Sequence, residues 1–93
     1  MKVYILKCSN NSHYTGITNN LEQRIGYHIK GRGAEYTRLN KPNRLAYFED
    51  FENKIEAEKR ERYIKKLSRI NKEHLIKYGK GVRVSLGSDR KTD

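Results

Sequence analysis

Val3, Tyr4, Ile5 and Leu6 form an unbroken apolar run, Ser9-Asn10-Asn11-Ser12 interrupts it, and His13-Tyr14-Thr15-Gly16-Ile17 resumes β-forming character. Two such runs around an Asn/Ser cluster predict a β-hairpin with Tyr4 and Tyr14 on neighbouring strands. From Leu21 the period lengthens. Leu21, Ile25 and Ile29 recur at helical spacing and predict a helix over about 21–30, capped by Asn19 or Asn20 and ended by Gly31-Arg32-Gly33. Arg24 and His28, one turn apart, share a face along one border of that stripe. Residues 31–44, with two glycines, Pro42 and several Arg or Lys, read as an extended basic loop.

Leu45 to Phe51 alternates enough to predict a third strand pairing with the hairpin. Asn53 is placed to cap a second helix from Lys54 to about Leu67, and Glu56 completes a capping-box pattern. Ala57, Arg60, Ile64 and Leu67 make its inner stripe, the Arg stem lying along apolar surface. Ser68 and Asn71 offer caps for a third helix ending at Tyr78-Gly79, with Leu75 inward. The polar, aperiodic residues 80–93 are expected to form a flexible tail after a domain of residues 1–79. The fold class is α/β in the α+β sense: a small sandwich with a three-stranded antiparallel sheet flanked by about three helices, in the order ββαβαα.

Charge narrows the partners. Twenty-one Lys and Arg against eleven Asp and Glu give a formal net charge of +10 over 93 residues. That excess favours polyanions, with nucleic acid first, an acidic membrane surface second and an acidic protein third. Cys8, alone, can form no internal disulfide and no Cys-based zinc site. No apolar run is long enough to span a membrane, and Met1-Lys2-Val3 enters a strand without a secretory core, so a cytoplasmic protein is expected.

Candidate chemistry gathers at the hairpin and first helix, where two phenols, a guanidinium and an imidazole can converge. The second helix adds Glu56, Glu58 and Glu61. Glu61 flanks the inner stripe, four residues after Ala57 and three before Ile64; Glu58 points about 60° further outward, and Glu56 is committed to capping. A lone carboxylate is a weak metal site, but Mg²⁺ keeps most of its waters and is commonly completed by substrate phosphate.

Six short motifs, VYIL, YTGIT, LEQRIGYH, GAEYTR, EAEKRERYIKKLSR and KEHLIK, agree in order and spacing with one family. From about residue 3 to about residue 77 the chain resembles the GIY-YIG nuclease superfamily, especially its small stand-alone bacterial members. The resemblance implies a metal-dependent endonuclease that cuts DNA phosphodiester bonds by attack of water, leaving 5′-phosphate and 3′-hydroxyl ends, with a place in DNA repair or recombination. It implies Tyr4, Tyr14, Arg24, His28 and Glu61 as catalytic residues. Tyr14 stands nearest the attacking water, Tyr4 orients the water or Tyr14, Arg24 contacts the scissile phosphate, and His28 polarises the nucleophile or accepts a proton. Glu61 holds a divalent ion, Mg²⁺ or Mn²⁺, weakly without substrate.

Gly16, Lys30, Arg32, Tyr36, Thr37, Arg38, Lys65, Lys66 and Arg69 are the candidate nucleic-acid contacts, and most supply affinity without sequence choice. Specificity then comes from a DNA shape, such as a branch or flap, or from a protein partner. Two departures stand out: Ile17 occupies a position where excision-repair relatives carry a lysine, and Glu73, with Asn71 close by, falls nearest to their downstream asparagine. His13 and His74 match no functional position and are expected to be exposed. The rival reading is a non-catalytic basic nucleic-acid-binding module; a weaker one is an interface for an acidic protein.

Overall fold

The structure, a computed structural model, describes residues 1–83. Its elements in chain order are β1 (Lys2–Cys8), β2 (His13–Thr18), α1 (Leu21–Ile29), α2 (Glu35–Leu39), β3 (Pro42–Asp50), α3 (Lys54–Lys65), α4 (Arg69–Tyr78) and β4 (Val82–Arg83). The three expected strands form an antiparallel sheet in the spatial order β2-β1-β3, and the two residues of β4 extend it beyond β3. Those two residues fall in the segment 80–93 expected as a tail, whose described part, residues 80–83, is tied to the sheet; residues 84–93 lie outside the described residues.

β1 is central and its Val3, Tyr4, Ile5 and Leu6 are all buried, because a strand covered on both faces needs no polar alternation. Val3 and Ile5 join Ala46, Tyr47, Ala57, Ile64 and Ile76 in one core under α3 and α4, while Tyr4 turns to α1 and meets His28. Against β3, Ile5 pairs with Tyr47 and Leu6 with Leu45, which leaves Ala46 over as a bulge. Adjacent Ala46 and Tyr47 are consequently both buried, which strict alternation would not allow.

Three expectations are corrected. The loop at 31–44 contains the single-turn helix α2, too short to show a period, and β3 begins at Pro42, the first strand position where the missing N–H is tolerated. The stripe of α1 runs through Leu21, Ile25 and His28 at i, i+4 and i+7; Ile29 is 57% exposed and His28 only 2%. The imidazole takes the inward place because both its nitrogens find partners there.

Caps follow the sequence closely. Asn20, Asn53 and Ser68 each accept from the backbone N–H three residues on, opening α1, α3 and α4. Arg60 of α3 reaches β3 and forks onto Glu49, Nε to Oε1 at 2.8 Å and Nη2 to Oε2 at 3.0 Å. Burial pushes the Glu49 carboxyl up, but Arg60 and the Tyr47 hydroxyl outweigh it and hold it below its ordinary range. Tyr47 in turn accepts from the Gly81 N–H at 2.9 Å, tying the segment after α4 to the sheet.

Ile64, fully buried between α3 and the sheet, carries much of this core. Ile64→Ala is expected to lower unfolding stability by about 2–5 kcal/mol, read as a fall in the urea midpoint at unchanged slope.

Candidate active site

Tyr4 sits on β1 directly opposite Gly16 on β2. A Cβ on Gly16 would come within 2.5 Å of the Tyr4 hydroxyl, so the phenol occupies space that only glycine leaves open. The hydroxyl lies 2.8 Å from His28 Nε2, and His28 Nδ1 lies 2.7 Å from the Thr37 hydroxyl. Thr37 donates its own proton to the Ala34 carbonyl at 3.0 Å. Having spent that proton, Thr37 can only accept from His28, which places the imidazole proton on Nδ1 and leaves Nε2 bare to accept from Tyr4. A single direction of donation therefore runs Tyr4 to His28 to Thr37 to Ala34.

Gly33 completes the pocket: any side chain there would collide with the His28 ring. Burial holds the imidazole below its ordinary value, with the Arg24 charge acting the same way, so His28 is neutral. Burial, then Tyr14, push the Tyr4 phenol well above its usual range; Arg24 opposes through charge and a side-chain hydrogen bond, and Glu61 adds to the rise. Arg24 and Glu61 are thus both near enough to act on the one phenol.

Tyr14, from β2, is the more accessible phenol. Its ring centroid lies 6.3 Å from Tyr4 and 5.1 Å from His28, and on its other side Tyr36 stacks at 6.1 Å with 25° between planes. The Tyr36 hydroxyl donates to Ser12, and Asn10 Nδ2 donates to Asn40 Oδ1 at 2.8 Å. Helix α2 is thereby pinned to the hairpin turn, with Tyr14 against its aromatic face.

The five candidate catalytic residues come together: β1 brings Tyr4, β2 Tyr14, α1 Arg24 and His28, and α3 Glu61. Glu61 is 19% exposed and pairs with Lys65 at 3.3 Å. Among the described residues no three His, Cys, Asp or Glu side chains form a cluster able to hold a metal. The donor set for a cation is one half-buried carboxylate, which fits a hydrated hard ion completed by substrate oxygens rather than a protein cage.

Two of the nucleic-acid candidates are corrected. Gly16 lies beneath Tyr4, and Thr37, 1% exposed, commits its hydroxyl to His28 and Ala34, so neither faces a ligand. Lys30, Arg32, Arg38, Lys65, Lys66 and Arg69 are exposed, and Tyr36 is 38% exposed. His13 is corrected too. It is buried on the hairpin with Nε2 2.7 Å from Glu73, a carboxylate shared with Lys7 at 3.0 Å, so the residue nearest the relatives' downstream asparagine is engaged in a tertiary ion pair. His74 is exposed as expected. Nothing in the sequence marks Thr37 and Gly33 as partners of His28, because α2, which aims Thr37, leaves no periodic trace.

A model of the GIY-YIG catalytic domain matches residues 1–74. The chain is 62% identical over 74 residues to UPF0213 protein CPE1444 of Clostridium perfringens, covering 80% of each. It is 51% identical over 73 residues to UPF0213 protein BLi00048/BL00536 of Bacillus licheniformis, covering 78% of this chain and 75% of that one. The solution NMR structure of the UPF0213 protein BH0048 from Bacillus halodurans superposes with a TM-score of 0.53 at 45% identity, over 82% of this chain and 81% of that one.

The hydrogen-bond line yields a pH dependence. With a folded value below the ordinary 6.5, His28 binds protons more readily unfolded; its contribution is complete above about pH 6.5 and is lost as pH falls through the depressed value. His13, lowered chiefly by burial, adds in the same sense. Urea midpoints are expected to drop from pH 7.5 to pH 5, and His28→Gln to flatten part of that drop. In long-range ¹H–¹⁵N spectra His28 should carry its proton on Nδ1, and Thr37→Val should lose that preference with about 1–3 kcal/mol of stability.

Proposed function

The chain belongs to the GIY-YIG catalytic domain family, a family of nucleases, and on that premise we propose that it is a metal-dependent endonuclease hydrolysing phosphodiester bonds in DNA. The observation that carries the proposal is the convergence of Tyr4, Tyr14 and His28 in one ring cluster on which Arg24 and Glu61 both act. Folding and charge alone have no need of that set.

Hydrolysis requires a positioned water, neutralisation of the charge that builds on phosphate, and a route for the proton. Tyr14, the phenol that solvent reaches, contacts the attacking water. Tyr4 and His28 stand behind it as a proton-accepting line, effective because His28 is held neutral with Nε2 unprotonated. Arg24 offers a planar fork of donors to the scissile phosphate. Glu61 is the side chain that would hold Mg²⁺ or Mn²⁺, which when bound supplies positive charge at the phosphate and acidifies water. Lys65 balances the Glu61 carboxylate in the free protein. The formal charge of +10 and the exposed Lys30, Arg32, Arg38, Lys66 and Arg69 support tracking of a phosphate backbone. A structure-selective role in repair or recombination, in the cytoplasm and with specificity from DNA shape or a protein partner, follows as the biological setting.

The test is cleavage of labelled duplex, single-strand, flap, fork and four-way-junction DNA, with RNA counterparts, under Mg²⁺ or Mn²⁺. Glu61→Gln and Tyr14→Phe are each expected to lower cleavage by 10² or more, on the order of one lost electrostatic or acid–base contribution, while leaving salt-sensitive binding in place. Binding without cutting under both metals would favour the non-catalytic module; near-full activity in Glu61→Gln would remove the metal assignment.

A further inference from the structure

Glu61 occupies one side of α3, and the opposite side bears a feature that the proposed chemistry does not use. Arg60, Tyr63, Asn71, His74, Leu75 and Tyr78 line a groove of 370 Å³ between α3 and α4. Its walls are aromatic rings with basic side chains beside them, of which Arg60 is held by Glu49. The Arg60 guanidinium lies 5.1 Å from the Tyr63 ring centroid, His74 and Tyr78 meet at 4.8 Å, and Lys77 Nζ lies 5.5 Å from the Tyr78 ring. Tyr63 and Tyr78 are 56% and 64% exposed, more than packing tyrosines need to be. Lys59 and Arg62 on α3, Lys66 at its C-cap and Arg69 on α4 are exposed, and none of the four is in an ion pair among the described residues.

We propose that this groove is a second nucleic-acid site, in which unpaired bases of a branched substrate stack while its phosphates meet the surrounding cations. Aromatic faces beside positive charge are what a single strand requires, because every base has a π face and every nucleotide a phosphate. The Asn71 amide and the His74 imidazole add hydrogen-bonding edges of the kind bases read. A duplex hides its base faces and gains nothing from such a groove. The proposal rests on the nuclease reading only for the neighbouring site, and it names the substrate class: duplex with a single-stranded arm.

The geometry also sets a length. Residues 61 and 63 lie about 200° apart around a helix, so a strand running from Glu61 to the groove must round α3, about 10–12 Å across. At roughly 3.4 Å per stacked nucleotide that is about three nucleotides or more. Arms shorter than this stop short of the tyrosines.

The experiment measures anisotropy of fluorescent DNA in EDTA, so that cutting plays no part: one blunt duplex, and the same duplex bearing a single-stranded arm of 1 or 12 nucleotides. The intact protein is expected to bind the 12-nucleotide arm about tenfold or more above the other two, the scale of one to two base stacks. Tyr63→Ala with Tyr78→Ala should erase that preference without changing blunt-duplex affinity, and Tyr63→Phe with Tyr78→Phe should keep it. Equal affinity for all three DNAs, or a preference that survives the alanine pair, overturns the proposal. Sedimentation that finds a dimer in the intact protein and a monomer in the alanine pair assigns the groove to a second copy instead, and overturns it too. An inactive protein that still prefers the long arm would contradict only the nuclease reading, and an active one without the preference only the groove.

Discussion

The hydrogen-bonded line from Tyr4 through His28 and Thr37 to Ala34 governs the arrangement of the whole site. Three of its four members are at most 2% exposed, and a polar group buried without a partner costs about 1–3 kcal/mol. Each member therefore constrains the next: Thr37 must donate to Ala34 to accept from His28, and His28 must stay neutral to accept from Tyr4. Glycines at 16 and 33 are the backbone consequence, since each lies where a side chain would displace a ring of the line. The fold supplies a rigid floor for it, with β1 buried on both faces and α1 turned so that His28 takes the inward position.

Around that line, polarity is graded from core to solvent. Tyr4 is sealed, Tyr14 is partly open beside it, and Arg24 and Glu61 act on the same phenol from α1 and α3 with opposite sign. Helix α3 packs against β1 and β2. Ala57 and Ile64 anchor it, Arg60 ties it to β3 through Glu49, Glu61 lies close enough to Tyr4 for its charge to act there, and Tyr63 lines the groove toward α4. One helix thus places the proposed metal-holding carboxylate and the proposed stacking groove about half a turn apart, which would make α3 the element around which a branched nucleic acid is draped.

Much of this was legible in the sequence. The strands, the capped helices and their order follow from period and from Asn20, Asn53 and Ser68, because capping and amphipathicity are local. The partly buried position of Glu61 on the border of the inner stripe follows from angular position alone. What escaped was set by tertiary partners. A histidine at a helix border carries no mark saying that both its nitrogens will be satisfied inside, so the period alone assigns the inward place to Ile29. A five-residue helix has no period, so α2 and the destination of Thr37 were hidden. His13 matches no functional position and nothing local shows its burial, since its partner, Glu73, is 60 residues away, and Ala46 upsets the alternation of β3 through a bulge that depends on β1.

The most direct measurement is the fate of oxygen during cleavage. With a flapped DNA and Mg²⁺ in H₂¹⁸O, mass spectrometry of the product ends should find one ¹⁸O on each new 5′-phosphate and unlabelled 3′-hydroxyls, as water attacks phosphorus with Tyr14, Tyr4 and His28 arranged behind it. Unlabelled phosphate with DNA trapped on a tyrosine, or label on the 3′ side, would contradict a water-activating role for this cluster.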